Sequence, residues 1–157
     1  HAAEVWAAVA SGLGGRLFDA LREQRSLAYT VLAFAWPRMQ AGALGTYIAM
    51  APEREAEARD AMLAELARFV AEPVTPDELQ GAIGYLAGQA AVQRQSAGHL
   101  LSEIVDAWMM GSGLEELEDP AAPYRRVTAE EVWRVARESL RPERRAEGVV
   151  RGTGGGR

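Results

Sequence analysis

The stretch from Gly12 to Trp36 constrains this chain most. Gly12, Gly14 and Gly15 interrupt an alanine-rich apolar run over residues 2–10, and a short segment follows with Leu17, Phe18 and Leu21 on one helical face. That segment, read as a helix over about 15–25, ends on basic residues. An apolar run from Leu27 to Trp36, carrying Tyr29, Val31, Phe34 and Trp36, begins at once and favours a strand. After a connector over 37–42, Gly45 to Met50 reads as a second strand and completes an antiparallel hairpin. Neither strand alternates cleanly between apolar and polar. That pattern implies a sheet covered on both faces, by helices on one side and something else on the other. In a lone domain with helices on one side only, the second apolar face is exposed, and a partner domain would cover it.

Beyond Pro52 the chain reads as mostly helical. A charged amphipathic helix over about 53–71 carries the stripe Met62, Leu63, Leu66 and Val70. Thr75-Pro76-Asp77-Glu78 is a capping-box start with proline in the first turn, and that helix runs to about Gln95. Another spans about 97–110 and stops at Gly111-Ser112-Gly113, with a short helical piece near 114–118. Thr128-Ala129-Glu130-Glu131 repeats the capping box and opens a helix to about Leu140. Ala146 to Arg151 reads as a final strand. This order predicts an α+β domain, an antiparallel sheet with helices packed on one face, over residues 1–151. The glycine-rich tail 152–157 reads as disordered.

Composition excludes several classes. The 157 residues suit one domain, and the net charge of −5 argues against nucleic acid as the main partner. There is no cysteine, so neither a disulfide nor a thiolate metal site can form; the compartment, cytoplasmic or periplasmic, stays open. No run approaches the ~18 apolar residues of a membrane span. All 17 basic residues are arginine, and lysine and asparagine are absent, which reads as codon bias from a GC-rich genome. The chain opens on His1 rather than methionine, so a missing initiator or upstream segment is expected.

The sequence Gly14-Gly15-Arg16-Leu17-Phe18 through Arg22 to Ala28-Tyr29-Thr30-Val31 resembles the signature of the second, non-zinc half of pitrilysin-type peptidases. That family includes the mitochondrial processing peptidases, insulin-degrading enzyme and many bacterial two-domain peptidases. The hairpin, the acidic helix, Val74 to Leu79, Val127 to Val132 and the closing Leu140-Arg141-Pro142-Glu143 fall in family order, so the resemblance covers roughly residues 3–151. A family domain normally begins with a strand ahead of the first helix. That strand is missing here, so truncation or processing at the N-terminus is expected.

The resemblance implies a half-domain that carries no metal. The catalytic half of the family binds zinc through His-x-x-Glu-His, whereas this chain has two histidines, His1 and His99, neither in that pattern. No zinc in this chain is therefore the expectation, with zinc on a homologous domain or subunit and a dimeric assembly closing a chamber over unfolded peptide. The resemblance further assigns Arg22 to holding a substrate carbonyl or carboxylate, and Tyr29 to donating its hydroxyl to the oxygen that becomes negative during peptide cleavage. On residue chemistry alone, Tyr29 is equally a sheet residue and Arg22 a helix-end cation favoured by the dipole. Arg25 is a rival to Arg22. His99 and Glu103, four apart, share a helix face at a spacing a metal accepts, and a plain surface pair accounts for them as well. The alternative function, a catalytically inactive structural or dimerisation subunit, needs neither Arg22 nor Tyr29.

Overall fold

The computed structural model describes residues 1–12, 14–111 and 117–152. Its centre is helix α1 (Ala2–Ser11), whose Val5, Trp6, Val9 and Ala10 are buried. A helix apolar nearly all round has to be enclosed on several sides. Here α1 meets the sheet, the helix α4 (Pro76–Gln93) and the helix α7 (Ala129–Ser139). The Trp6 ring, fully buried, stands edge-on to Phe69 at a centroid distance of 5.7 Å. That contact ties α1 to α3 (Glu55–Ala71), which a 3-10 turn at Pro52–Arg54 precedes. Trp133 of α7 donates its Nε1–H to the Val70 carbonyl at 2.9 Å and fastens α7 to the end of α3.

The hairpin forms as expected, from β1 (Thr30–Pro37) and β2 (Gly42–Ala49), paired antiparallel with Leu32 opposite Tyr47 and Phe34 opposite Gly45. Its register sorts the two faces. Val31 is buried in the core, with Ala33, Leu44 and Ile48 packed against it on the same face. On the other face Leu32, Trp36 and Tyr47 are each about half exposed. Phe34 lies between them, its ring 4.5 Å from that of Trp36 and directly over Gly45, where a β-carbon would fall 2.2 Å from the ring. Helices thus cover one face of the sheet, and among the described residues the opposite apolar face is bare.

Both capping boxes are present. Thr75 and Glu78 exchange side-chain and backbone hydrogen bonds at the start of α4, and Thr128 and Glu131 do the same for α7. Helix α5 (Ala97–Met110) ends on Gly111 in the left-handed region, at φ 73°.

Three expectations are corrected, and one element is added. The helix over 15–25 is α-helical only at Arg16–Phe18 (α2) and widens into a π-helical turn at Asp19–Glu23. The buried stripe of α3 is Ala58, Ala61, Met62, Glu65 and Phe69, because the helix is rotated to set Phe69 against Trp6; Leu63 and Val70 are only half-buried. A one-turn helix α6 (Ala122–Arg125), hidden in sequence by Pro120 and Pro123, was not expected. Residues 146–151 form no strand. They are held to α3 by ion pairs instead, Arg59 with Glu147 at 2.7 Å and Arg151 with Glu55 at 2.6 Å, and Val150 is fully exposed. With its arginine and glutamate held along α3, the segment pairs with neither outer edge of the β1–β2 hairpin. Most of the helical piece expected near 114–118, and the tail beyond Gly152, lie outside the described residues.

Candidate functional site

Arg22 and Tyr29 are presented by one irregular connection. In the π-helical turn the Gln24 N–H reaches back five residues to the Asp19 carbonyl at 2.9 Å. Such widened turns put an extra residue into a helix and re-aim its side chains. The turn buries Ala20 and Leu21 and leaves Arg22 exposed, its guanidinium carbon 5.1 Å from the Phe18 ring centroid. Ser26 then adopts φ 49°, a left-handed conformation costly for a residue with a β-carbon. Its N–H bonds to the Arg22 carbonyl at 3.0 Å, and the Leu27 N–H bonds to the Leu21 carbonyl at 2.8 Å. These bonds end the helix and aim the chain into β1, with Leu27 and Ala28 buried.

Tyr29 follows, its N–H bonded to the Ala49 carbonyl at 2.8 Å. The backbone is fixed while the ring is 74% exposed, more than any other tyrosine of the chain. The ring borders an open cleft of about 240 Å³ with Ser26, Leu27, Ala28, Ala51, Glu53 and Arg54. Arg54 is tied to Glu57 at 2.8 Å, so Glu53 is the acidic group there without an ion-pair partner among the described residues. Arg22 and Tyr29 lie on the same surface connection, seven residues apart, and no hydrogen bond or ion pair joins them among the described residues. Arg25, the rival cation, is also exposed on that turn.

A larger cleft, about 300 Å³, lies on the other side of the π turn and is lined by Arg16, Asp19, Gln24, Arg68, Glu72 and Glu78, among others. Its charges are already engaged. Arg16 grips Glu78 through two nitrogens while its third, Nη1, is buried without a hydrogen-bond partner, and Gln24 bonds to Asp19. That network holds α2 to α4, and it makes the cleft a structural joint. No local pattern in the sequence announces it, because Arg16 and Glu78 are 62 residues apart.

His99 sits 3.6 Å from Glu103, which also accepts from Arg94 at 3.0 Å. Among the described residues no group of three His, Cys, Asp or Glu side chains comes together as metal ligands. Among the described residues no donor set fits a hydrolytic zinc site, which takes three protein ligands around an open position.

Residues 5–86 match the family model described as the peptidase M16 inactive domain. The chain belongs to the M16 peptidase family, as its inactive domain. Over 133 residues, 85% of the chain, it is 28% identical to an uncharacterized zinc protease of Streptomyces coelicolor, of which it covers 29%. Over the same share it is 30% identical to an uncharacterized zinc protease of Mycobacterium tuberculosis, covering 30% of it. The chain thus spans under a third of the length of these relatives. Among solved structures, the M16 inactive domain from Pseudomonas fluorescens superposes with a TM-score of 0.75 at 22% identity, over 89% of this chain and 34% of that one. A protease from Helicobacter pylori gives 0.71 at 18% identity, over 89% and 34%.

Proposed function

We propose that this chain is the non-metal half of a zinc-dependent peptidase, closing a chamber over unfolded peptide and presenting Arg22 and Tyr29 to a zinc site held on another domain or subunit. The observation that carries this reading is the surface position of Tyr29. A tyrosine with a pinned backbone and a ring three-quarters in solvent contributes little to this domain's own core. Its hydroxyl is free to donate to an oxygen of a bound peptide. The left-handed Ser26 supports the same reading, since a strained residue persists where the surroundings demand it.

In this role Tyr29 would donate to the carbonyl oxygen on which negative charge develops, and the Arg22 fork would hold a substrate carbonyl or carboxylate. Zinc is assigned to the partner, because no donor set among the described residues fits it. The test is reconstitution. The chain alone is expected to cleave no unfolded peptide, and to restore cleavage when combined with a zinc-bearing half from the same source. A zinc half equally active without this chain would overturn the reading.

The catalytically inactive structural subunit is the second reading. It is favoured by one observation, the amount of apolar surface left uncovered on β1, β2 and α5.

A further inference from the structure

The π-helical turn at Asp19–Glu23 is closed twice by one pair of residues. The Gln24 N–H donates to the Asp19 carbonyl at 2.9 Å, and the Gln24 side-chain amide donates to the Asp19 carboxylate, Nε2 to Oδ2, at 2.5 Å. In an α-helix the Gln24 N–H would bond to the Ala20 carbonyl, four residues back. A return to that pattern removes the extra residue and rotates the side chains beyond it by up to about 100°, the rotation of one residue. Arg22 lies inside this turn. The chain is fixed on either side of it. Before it, Arg16 is clamped to Glu78 and Leu17 is fully buried; after it, Leu27 is buried and the Tyr29 N–H is bonded to the Ala49 carbonyl. The widened turn is therefore where the direction of Arg22 relative to Tyr29 is decided.

We propose that Asp19 and Gln24 are a positioning pair: their side-chain bond locks the π-helical turn and so aims Arg22. This rests on the peptidase reading, in which Arg22 holds the substrate. Asp19 and Gln24 line the clamp cleft, and neither lines the cleft that Tyr29 borders, so the pair acts through Arg22 rather than on the peptide. Their bond is the one side-chain tie either residue makes among the described residues, so nothing else engages them. Both are exposed, and a bond between exposed groups adds little to the stability of the whole domain. Its effect is on a choice between two turns of the same residues. The π turn is the rarer geometry, and one net hydrogen bond shifts such a choice about two- to tenfold.

Gln24→Glu tests the proposal, since it keeps the size of the side chain and sets a second carboxylate against that of Asp19. In the full assembly, zinc-bearing half included, it is expected to lower kcat/KM for an unfolded peptide about fivefold or more, with the thermal stability of this chain near wild type. Gln24→Ala, which only removes the bond, serves as the second variant should Gln24→Glu fail to fold. Asp19→Asn/Gln24→Glu keeps a donor and an acceptor with their ends exchanged and the net charge unchanged, and is expected to recover kcat/KM to within about twofold of wild type. Added to Arg22→Ala, Gln24→Glu is expected to cost nothing further, as a residue acting through Arg22 requires. A second readout needs no activity. The scalar coupling across the hydrogen bond from the backbone nitrogen of residue 24 to the Asp19 carbonyl carbon, measured by NMR on this chain, should be present in the wild type and the double variant and lost in Gln24→Glu. A coupling retained in Gln24→Glu overturns the proposal, and so does a wild-type kcat/KM in Gln24→Glu while Arg22→Ala lowers it. A loss that the double variant does not recover, or that persists in the Arg22→Ala background, overturns it as well. An Arg22→Ala assembly as active as wild type overturns the peptidase role of Arg22 instead, which tells the two failures apart.

Discussion

The Arg16 guanidinium grips the Glu78 carboxylate in a fork, Nε to Oε1 at 2.6 Å and Nη2 to Oε2 at 2.8 Å, and so joins the short helix after the glycine turn to the first turn of α4. The same carboxylate accepts from the Thr75 N–H at 2.7 Å as half of the capping box. Arg16 also donates to the Pro73 carbonyl at 3.1 Å and lies over the Phe69 ring at 4.7 Å. One glutamate therefore serves a local helix start and a long-range clamp, and the clamp secures the base of the turn that presents Arg22.

The clamp makes stability depend on acid. The Arg16 hydrogen bonds, helped by the Thr75 N–H and opposed by desolvation, lower the Glu78 pKa from 4.5 to about 2. A carboxylate with a depressed folded pKa contributes stability that is fully present above its unfolded pKa and is lost as pH falls through the folded one. The loss therefore begins below about pH 4.5 and is complete only once the pH has fallen through about 2. Allowing for solvent screening of a pair only partly buried, it amounts to about 2 kcal/mol. Urea unfolding at pH 7, 4 and 2.5 should show that decline in the wild type. Glu78→Gln should be less stable at pH 7 by a similar amount and decline less on acidification. Parallel declines would contradict the assignment.

Two neighbouring glycines should respond differently to alanine. A β-carbon on Gly15 would come within 2.8–2.9 Å of the Val9 and Ala10 carbonyl oxygens and the Gly12 nitrogen, all backbone atoms that cannot swing aside. Gly14 has φ 80° with nothing within 4 Å, so its alanine meets only the left-handed penalty of about 1–2 kcal/mol. Gly15→Ala should therefore cost more than Gly14→Ala, by about 1 kcal/mol or more in urea unfolding. Equal costs would show that the α1–α2 turn relaxes freely.

Trp6→Ala should be the most damaging single change in the core. The ring is fully buried against Phe69, and removing it should cost about 3–5 kcal/mol, a large share of the stability of any domain this size. The fall in urea midpoint at constant slope measures it. A loss under about 1 kcal/mol would place the core elsewhere.

Much of this fold is legible in the sequence because its signals are local. Thr75 with Glu78 and Thr128 with Glu131 announce their helices within four residues, and the hairpin follows from two apolar runs around a short connector. What is not legible depends on distant partners. The rotation of α3 is set by Phe69 meeting Trp6, and the irregular path of 146–151 by Glu55 and Arg59. The bare sheet face was foreseen, since strands without alternation need cover on both sides. The exposed half of α5 was not, because an apolar stripe reads the same whether or not anything packs on it. At the candidate site, sequence marks Arg22 and Tyr29. The π turn and the left-handed Ser26 that position them leave no compositional trace.

Arg22 and Tyr29 are both exposed, so Arg22→Ala and Tyr29→Phe should each leave thermal stability within about 0.5 kcal/mol of wild type. Calorimetry of the chain checks this, and a larger loss in either would mean that the residue serves the fold.

The most direct test of the central claim is kcat/KM for cleavage of an unfolded peptide by the full assembly, zinc-bearing half included, with Tyr29→Phe in this chain. Removing one donor to a developing negative charge typically costs about 10²–10³ in rate. The account predicts a fall of that order with the fold and the assembly intact. An unchanged kcat/KM would contradict it and leave the chain a structural half.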